Sequence, residues 1–185
     1  MFMYTSCSKN GVDMTLFEEK LSAQEALQQA SNAGIPVIGI KGCESGKDVW
    51  EKFWDKVQDK KPASVLVADY YTLEGQNMSE ELYEEEKDLY PQLFFTLIEY
   101  DGNEFSLKVR KSDEEKLDRD EKFKYLLHLT GNAPETALYE SFDRYVLTDE
   151  SDITWDELER SWYSSQSPDY IRFSIAFEEI HGWRE

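Results

Sequence analysis

Two histidines, His128 and His181, and two cysteines, Cys7 and Cys43, are all that the chain offers for imidazole or thiol chemistry. Any metal site or histidine-based catalysis must therefore use one of these two imidazoles. His128 stands in Tyr125-Leu126-Leu127-His128-Leu129, near the predicted end of a helix, where an imidazolium offsets the dipole and caps carbonyls. His181 falls in the last five residues, a segment expected to be mobile, and neither histidine belongs to an HExxH or other metal-ligand spacing. The cysteines lie far apart without a CxxC pattern, so two idle thiols are expected ahead of a disulfide, and neither a zinc site nor a redox motif is read. The run Gly39-Ile40-Lys41-Gly42-Cys43-Glu44-Ser45-Gly46-Lys47-Asp48 sits where a phosphate-binding loop would lie, between a strand and a helix. Its spacing fails, because Lys41 occupies the first glycine position and Asp48 replaces the Ser or Thr that would hold Mg²⁺. Cys43, flanked by Lys41 and Lys47 near a helix start, is the one thiol with grounds for a lowered pKa. No histidine is placed to serve it.

Carboxylates are the more abundant chemistry. Glu80, Glu81, Glu84, Glu85, Glu86 and Asp88 crowd one stretch with Lys87 as counterion, beside Leu82, Tyr83, Leu89 and Tyr90. Asp149, Glu150, Asp152, Asp156, Glu157 and Glu159 form a second group with no base inside it. Neither follows the Ca²⁺-loop pattern, which needs alternating ligands and a central glycine. Glycoside hydrolysis needs two carboxylates about 5 or 6.5–9.5 Å apart, a separation that sequence does not give. The first reading is a solvated acidic face. The next is a docking surface in which Glu80, Glu81, Tyr83, Glu84, Glu85, Asp88, Asp149, Glu150, Asp152, Trp155, Asp156 and Glu159 meet a basic protein.

The total charge supports that choice of partner. Across 185 residues, 39 Asp plus Glu stand against 20 Lys plus Arg, for a net charge of −19. Such a field repels nucleic acid and anionic membranes over about 10 Å at 0.1 M salt and attracts cations and basic proteins. No catalytic, cofactor-binding or metal-ligating residue is assigned, because no nucleophile, base and orienting group come together. The expectation is a non-enzymatic, soluble acidic interaction protein, of the immunity or inhibitor kind. The competing class is a small-ligand or cation-binding module with Trp155, Trp162 and Tyr163 lining its pocket. Mimicry of nucleic acid charge is a third.

The elements that must position these groups can be read from period and punctuation. With 40% apolar residues and 14% aromatics the chain can build a core, and no repeat or linker divides it, so one domain over 1–185 is expected. A first helix is predicted from about Thr15 to Asn32, with capping spacings at Thr15/Glu18 and Ser22/Glu25 and a stop at Gly34. Ile35 to Ile40 reads as a short strand. In the second helix Trp50, Phe53, Trp54 and Val57 share a face and Asp48 with Glu51 makes the capping pair. Ser64 to Tyr71 is a largely buried strand, followed by an acidic insertion at about 74–90. Leu93 to Tyr100 and Glu104 to Arg110 form a hairpin about Asp101-Gly102-Asn103. A third helix is predicted over Glu114 to Leu129, a strand over Leu138 to Leu147, a short helix capped by Thr154 with Glu157, a loop over Ser164 to Pro168, and a last alternating strand from Ile171 to Phe177. Together they predict an α+β fold, a mainly antiparallel sheet of about five strands with three to four helices mostly on one face.

From Val49-Trp50-Glu51-Lys52-Phe53-Trp54 through Lys60-Lys61-Pro62-Ala63-Ser64-Val65-Leu66-Val67 to Ile98-Glu99-Tyr100-Asp101-Gly102, the chain resembles small uncharacterised Gram-positive bacterial proteins, a domain of unknown function. The likeness covers about a third of the chain. It implies a helix, a Lys-rich turn, a strand and a Tyr-Asp-Gly hairpin, and no activity. Some of those proteins look like secreted lipoproteins, whereas the residues after Met1 carry no basic and apolar leader and no lipobox. A cytoplasmic location is expected, or an extracellular one if a signal peptide preceded Met1. No run of about 18 apolar residues predicts a membrane span.

Overall fold

The computed structural model describes residues 14–73, 78–163 and 170–184. Cys7, the Ser164 to Pro168 loop and the start of the acidic insertion lie outside them. The predicted first helix is two: α1 (Thr15–Glu18) and α2 (Ala23–Ala33). The break lies at Glu19, where the chain turns extended, and Ser22 then starts α2 with a complete capping box. Ser22 accepts from the Glu25 amide at 3.4 Å, and the Glu25 carboxylate accepts from the Ser22 amide at 3.1 Å. Gly34 ends α2 at φ 69°, a left-handed position that glycine takes without a side-chain clash.

Next come strands β1 (Val37–Gly39) and β2 (Gly42–Ser45), a tight hairpin, and helix α3 (Lys47–Gln58). Asp48 is not the cap of α3. Gly46 holds that place at φ 75°, and Asp48 instead pairs with Lys52 at 2.7 Å. A side chain at Gly46 would meet the Ile35 carbonyl carbon and oxygen at 2.6 Å, so glycine lets the start of α3 pack against the entry to β1. Gly46→Ala is therefore expected to cost about 1–2 kcal/mol in denaturant unfolding, through strain and backbone overlap together. A neutral result would show that the turn can relax.

The remaining elements are β3 (Ala63–Tyr71), α4 (Glu80–Glu86) with a 3-10 turn at Lys87–Leu89, β4 (Gln92–Tyr100), β5 (Phe105–Lys111), β6 (Arg119–Phe123), β7 (Tyr125–Asn132), β8 (Ser141–Thr148), α5 (Trp155–Tyr163) and β9 (Phe173–His181). All nine strands join one sheet in the order β6-β5-β4-β3-β1-β2-β9-β8-β7. Two antiparallel meanders, β3 to β6 and β7 to β9, are bridged by the β1–β2 hairpin. The bridge is narrow: β1 pairs in parallel with β3 at Val37 and Ile38, and β2 meets β9 at Gly42 opposite Glu179.

The fold expectation fails here. The sheet has nine strands, is mixed, and curls into a half-barrel, with helices on both faces. Trp50, Phe53 and Val57 of α3 pack inside the curl, in one cluster with Phe123 of β6 and Leu126 of β7, the two outermost strands. Trp50 lies stacked on Phe177, ring centroids 4.5 Å apart. On the other face α1 and α2 cover Leu66, Leu93, Phe95 and Leu97, and α5 covers Val146. Three of the nine strands have no counterpart among those expected: β2, which closes the hairpin with β1, and β6 and β7. The predicted helix over Glu114 to Leu129 is in fact a turn followed by β6 and most of β7. Its Glu, Lys and Leu are good helix formers, but both sides of β7 are packed, Leu126 inward and Leu127 and Leu129 outward. Tertiary packing overrides local propensity there. The charges of Arg119 to Lys122 decorate an edge strand, where they discourage pairing with other chains.

Candidate functional site

Beyond the narrow hairpin bridge the two meanders part, and a cleft opens between them. In β3, Val65 and Val67 point into the curl and are fully buried, and the same alternation sends Asp69 and Tyr71 inward after them. Asp69 is thus an acid at a position whose neighbours are apolar. Its Oδ2 accepts a bond from the Thr96 hydroxyl of β4 at 2.8 Å. Ile38 and Gly39 of β1, Ile40 just after it, and Ile175 to Glu178 of β9 close one side, around about 340 Å³. Phe94, Val109, Arg119 and Ser174 close the other, around about 290 Å³, and the two spaces share Asp69, Tyr71 and Ile175. Arg119 bridges the meanders by donating to the Ser174 hydroxyl at 3.1 Å, and it pairs with Glu121 at 2.7 Å.

Burial pushes the Asp69 carboxyl up to about 6; the Thr96 bond opposes that rise and Glu178 adds to it. Burial likewise pushes the Tyr71 phenol up to about 12, with Asp69 and Glu178 contributing. Glu178 has its own cation in Arg144, at 3.0 Å. Nothing of the kind serves Asp69. Among the described residues no Lys or Arg pairs with it, and the Thr96 hydroxyl is its one hydrogen-bond donor.

The predicted acidic residues fall in two separate places. Glu80, Glu81, Tyr83, Glu84 and Glu85 lie on α4 and Asp88 on the 3-10 turn after it, and neither element buries a residue. Glu84 pairs with Lys87, and the other carboxylates there face solvent. Asp149 to Glu159 surround the entrance of α5, whose cap is as read: Thr154 and Glu157 exchange bonds of 2.7–3.4 Å. Asp149 pairs with Arg172. Glu150, Asp152, Asp156 and Glu159 have no cation among the described residues. Glu150, Asp152 and Glu157 line an open groove of about 510 Å³ floored by Ile153 and Ile171, with Arg160 as its base. The aromatic residues expected to line a pocket do otherwise. Trp155 packs on Phe142 and Phe173 and under Arg144, while Trp162 and Tyr163 are 62% and 82% exposed.

Sequence reasoning misplaced both histidines. His128 is in β7 and His181 in β9, and they converge on one carboxylate of β8: His128 Nε2 lies 2.8 Å from Asp143 Oδ1 and His181 Nε2 2.7 Å from Oδ2. Burial works to raise the Asp143 carboxyl, but the bonds from His181 and His128 outweigh it and hold it below its ordinary range. The His128 ring also stacks on Tyr145 at 4.3 Å. Both imidazoles spend Nε2 on this strand-to-strand tie, and among the described residues no group of three or more His, Cys, Asp or Glu is placed to hold a metal ion. The lowered thiol expected at Cys43 is reversed. Burial and Glu179 push it up to about 11, and Lys47 is drawn to Glu179, 2.8 Å away. The run from Gly39 to Asp48 forms the hairpin, not a phosphate loop.

The chain is thus a mixed half-barrel with an acid set in the cleft between its halves and an acidic groove beside α5. Comparison with protein-family models, curated proteins and solved structures finds no match. No helix among the described residues is long and apolar enough to cross a membrane.

Proposed function

We propose that the protein is a non-enzymatic interaction module that docks a Lys- or Arg-rich protein segment on the groove beside α5. The observation that carries this reading is the pattern of uncompensated charge. Glu150 and Asp152 flank an apolar floor of Ile153 and Ile171, Asp156 and Glu159 follow on the same helix, and none of the four has a cation among the described residues. The helix then ends in exposed Trp162 and Tyr163, side chains that pack well on arginine and on apolar stems. The net charge of −19 would steer a basic partner at long range.

Association with a Lys/Arg-rich peptide is expected to weaken steeply as salt is added. The triple variant Glu150→Gln, Asp152→Asn, Asp156→Asn should lose about tenfold or more in affinity and most of that salt dependence. Asp149 and Glu157 are left in place because they hold Arg172 and the α5 cap. Calorimetry at two ionic strengths measures both effects. Equal binding by wild type and variant would remove the groove from the interaction.

A further inference from the structure

We propose that the cleft between the meanders is a second, independent binding site, one that takes a primary ammonium group on an apolar body, with Asp69 as its anchor. The argument starts from an imbalance. Asp69 continues the inward row of Val65 and Val67, where an acid is expensive unless paired, yet it has one neutral hydroxyl for a partner. The nearby cations are committed elsewhere, Arg119 to Glu121 and Ser174, and Arg144 to Glu178 and the Tyr139 hydroxyl. Among the described residues Oδ1 of Asp69 has no hydrogen-bond partner and is not sealed off, and Asp69 lines both parts of the cleft.

The lining decides what that space accepts. Asp69 and Glu178 exclude an anion. One uncommitted carboxylate is too few for Ca²⁺ or Mg²⁺, which take six or more oxygens. A neutral polyol would leave the charge of Asp69 uncompensated. An ammonium supplies the missing charge and has three donors. Beside Asp69, Tyr71 and Phe94 meet edge to face at 5.9 Å and offer π surface to a cation, while Ile38, Ile175 and Val109 suit an aliphatic stem. Each part of the cleft is of the size that small-molecule sites occupy, about 300 Å³ and upward.

The same chemistry could arrive as a free amine or as a lysine side chain, so the experiment has two arms. Butylammonium and a blocked Gly-Lys-Gly peptide are titrated into the protein near neutral pH, followed by NMR shifts of the amides of β3 and β9, with butanol as the neutral control. Ammonium binding without butanol binding is expected, and Asp69→Asn should weaken it about tenfold or more. Tighter binding of the peptide would assign the site to a lysine side chain; tighter binding of butylammonium would assign it to a small amine. The groove variant should bind butylammonium as wild type does, which separates this site from the one beside α5. Absence of ammonium binding, or a loss of less than about twofold in Asp69→Asn, would overturn the proposal. A check on the unmutated protein uses pH. A proton competes with the ammonium for Asp69, so affinity should fall about tenfold per pH unit below about 6. The other charged groups facing Asp69 are Glu178 of β9 and Arg119 of β6, both already paired. A flat profile from neutral to about pH 4.5 would equally overturn it.

Discussion

Replacing Arg110 by Met is expected to destabilise the protein by about 3–5 kcal/mol, the largest single effect we foresee outside the aromatic core. Arg110 is 3% exposed, and among the described residues no carboxylate accepts a hydrogen bond from it. Its guanidinium instead donates to six carbonyl oxygens. Nε reaches Phe17 at 2.6 Å, Nη2 reaches Glu19 at 2.7 Å and Leu16 at 3.4 Å, and Nη1 serves Lys111 and Ser112 at 3.3 Å and Glu114 more closely. The reason lies in α1. A helix of four residues leaves nearly all of its carbonyls without intrahelical partners. From the end of β5 Arg110 satisfies two of them, Leu16 and Phe17, together with the carbonyl of the capping residue Glu19, and so pins the α1–α2 layer to the outer face of the sheet. Burial lowers its pKa, and the charge of the Asp113 carboxylate opposes that fall. Methionine would fill much of the volume and satisfy none of the carbonyls, and each one left buried and unpaired costs about 1–3 kcal/mol. Lysine keeps the charge but not the planar fork, so Arg110→Lys should recover less than half of the loss. Urea denaturation measures the stability. Hydrogen exchange should show the added opening first at Leu21, whose amide bonds Ser112 in the same corner. A loss under about 1 kcal/mol would mean that water replaces the guanidinium at these carbonyls.

What could be read from the sequence was local. The Ser22/Glu25 and Thr154/Glu157 boxes are present as spacing alone implies. So is the hairpin at Asp101-Gly102-Asn103, where the Asp101 carboxylate accepts from the Asn103 and Glu104 amides at 2.8 and 2.9 Å. Phe105 and Leu107 point into the curl as their alternation requires. These features are decided within a few residues. The strand identity of Arg119 to Asn132 is decided by partners far away, β5 on one side and β8 on the other. The junction of His128, Asp143 and His181 exists only once three strands are in register, with Thr130 opposite Asp143 and Ser141 opposite His181. A histidine assigned to a helix end and another assigned to a tail had no reason to meet. The last strand also misled by looking regular. A bulge between Tyr145 and Val146 shifts the register against β9, so Phe173 packs with the α5 cluster while Phe177 packs inside the curl. The cleft had one faint signal in the sequence. An acid ends the apolar run Val65-Leu66-Val67-Ala68-Asp69, at the parity of the fully buried Val65 and Val67.

That acid should make the protein more stable when it is neutralised. The Asp69 carboxyl titrates at about 6 in the folded chain against an ordinary 3.8, so the folded state holds its proton more tightly than the unfolded state does. Below about pH 3 both states are protonated and the group exacts no penalty. As pH rises toward 6 the unfolded chain releases its proton first, and stability falls. Above about 6 the loss is complete, at about 2–3 kcal/mol. Asp69→Asn cannot ionise, and its side-chain oxygen can still accept from the Thr96 hydroxyl. The variant should therefore match wild type near pH 3 and exceed it by about 2–3 kcal/mol at neutral pH. Denaturation of both proteins over that range gives the difference, in which the titration of all other carboxylates cancels. A variant less stable than wild type at neutral pH would show that the Asp69 carboxylate is stabilised in place, contrary to its desolvated setting. The direction also connects stability to binding. An ammonium ion in the cleft would relieve in the wild type the same penalty that asparagine removes, so the ligand should stabilise wild type at neutral pH and leave Asp69→Asn nearly unchanged. A residue that lowers the stability of the free protein and raises that of the complex is what a binding site built around an unpaired charge requires.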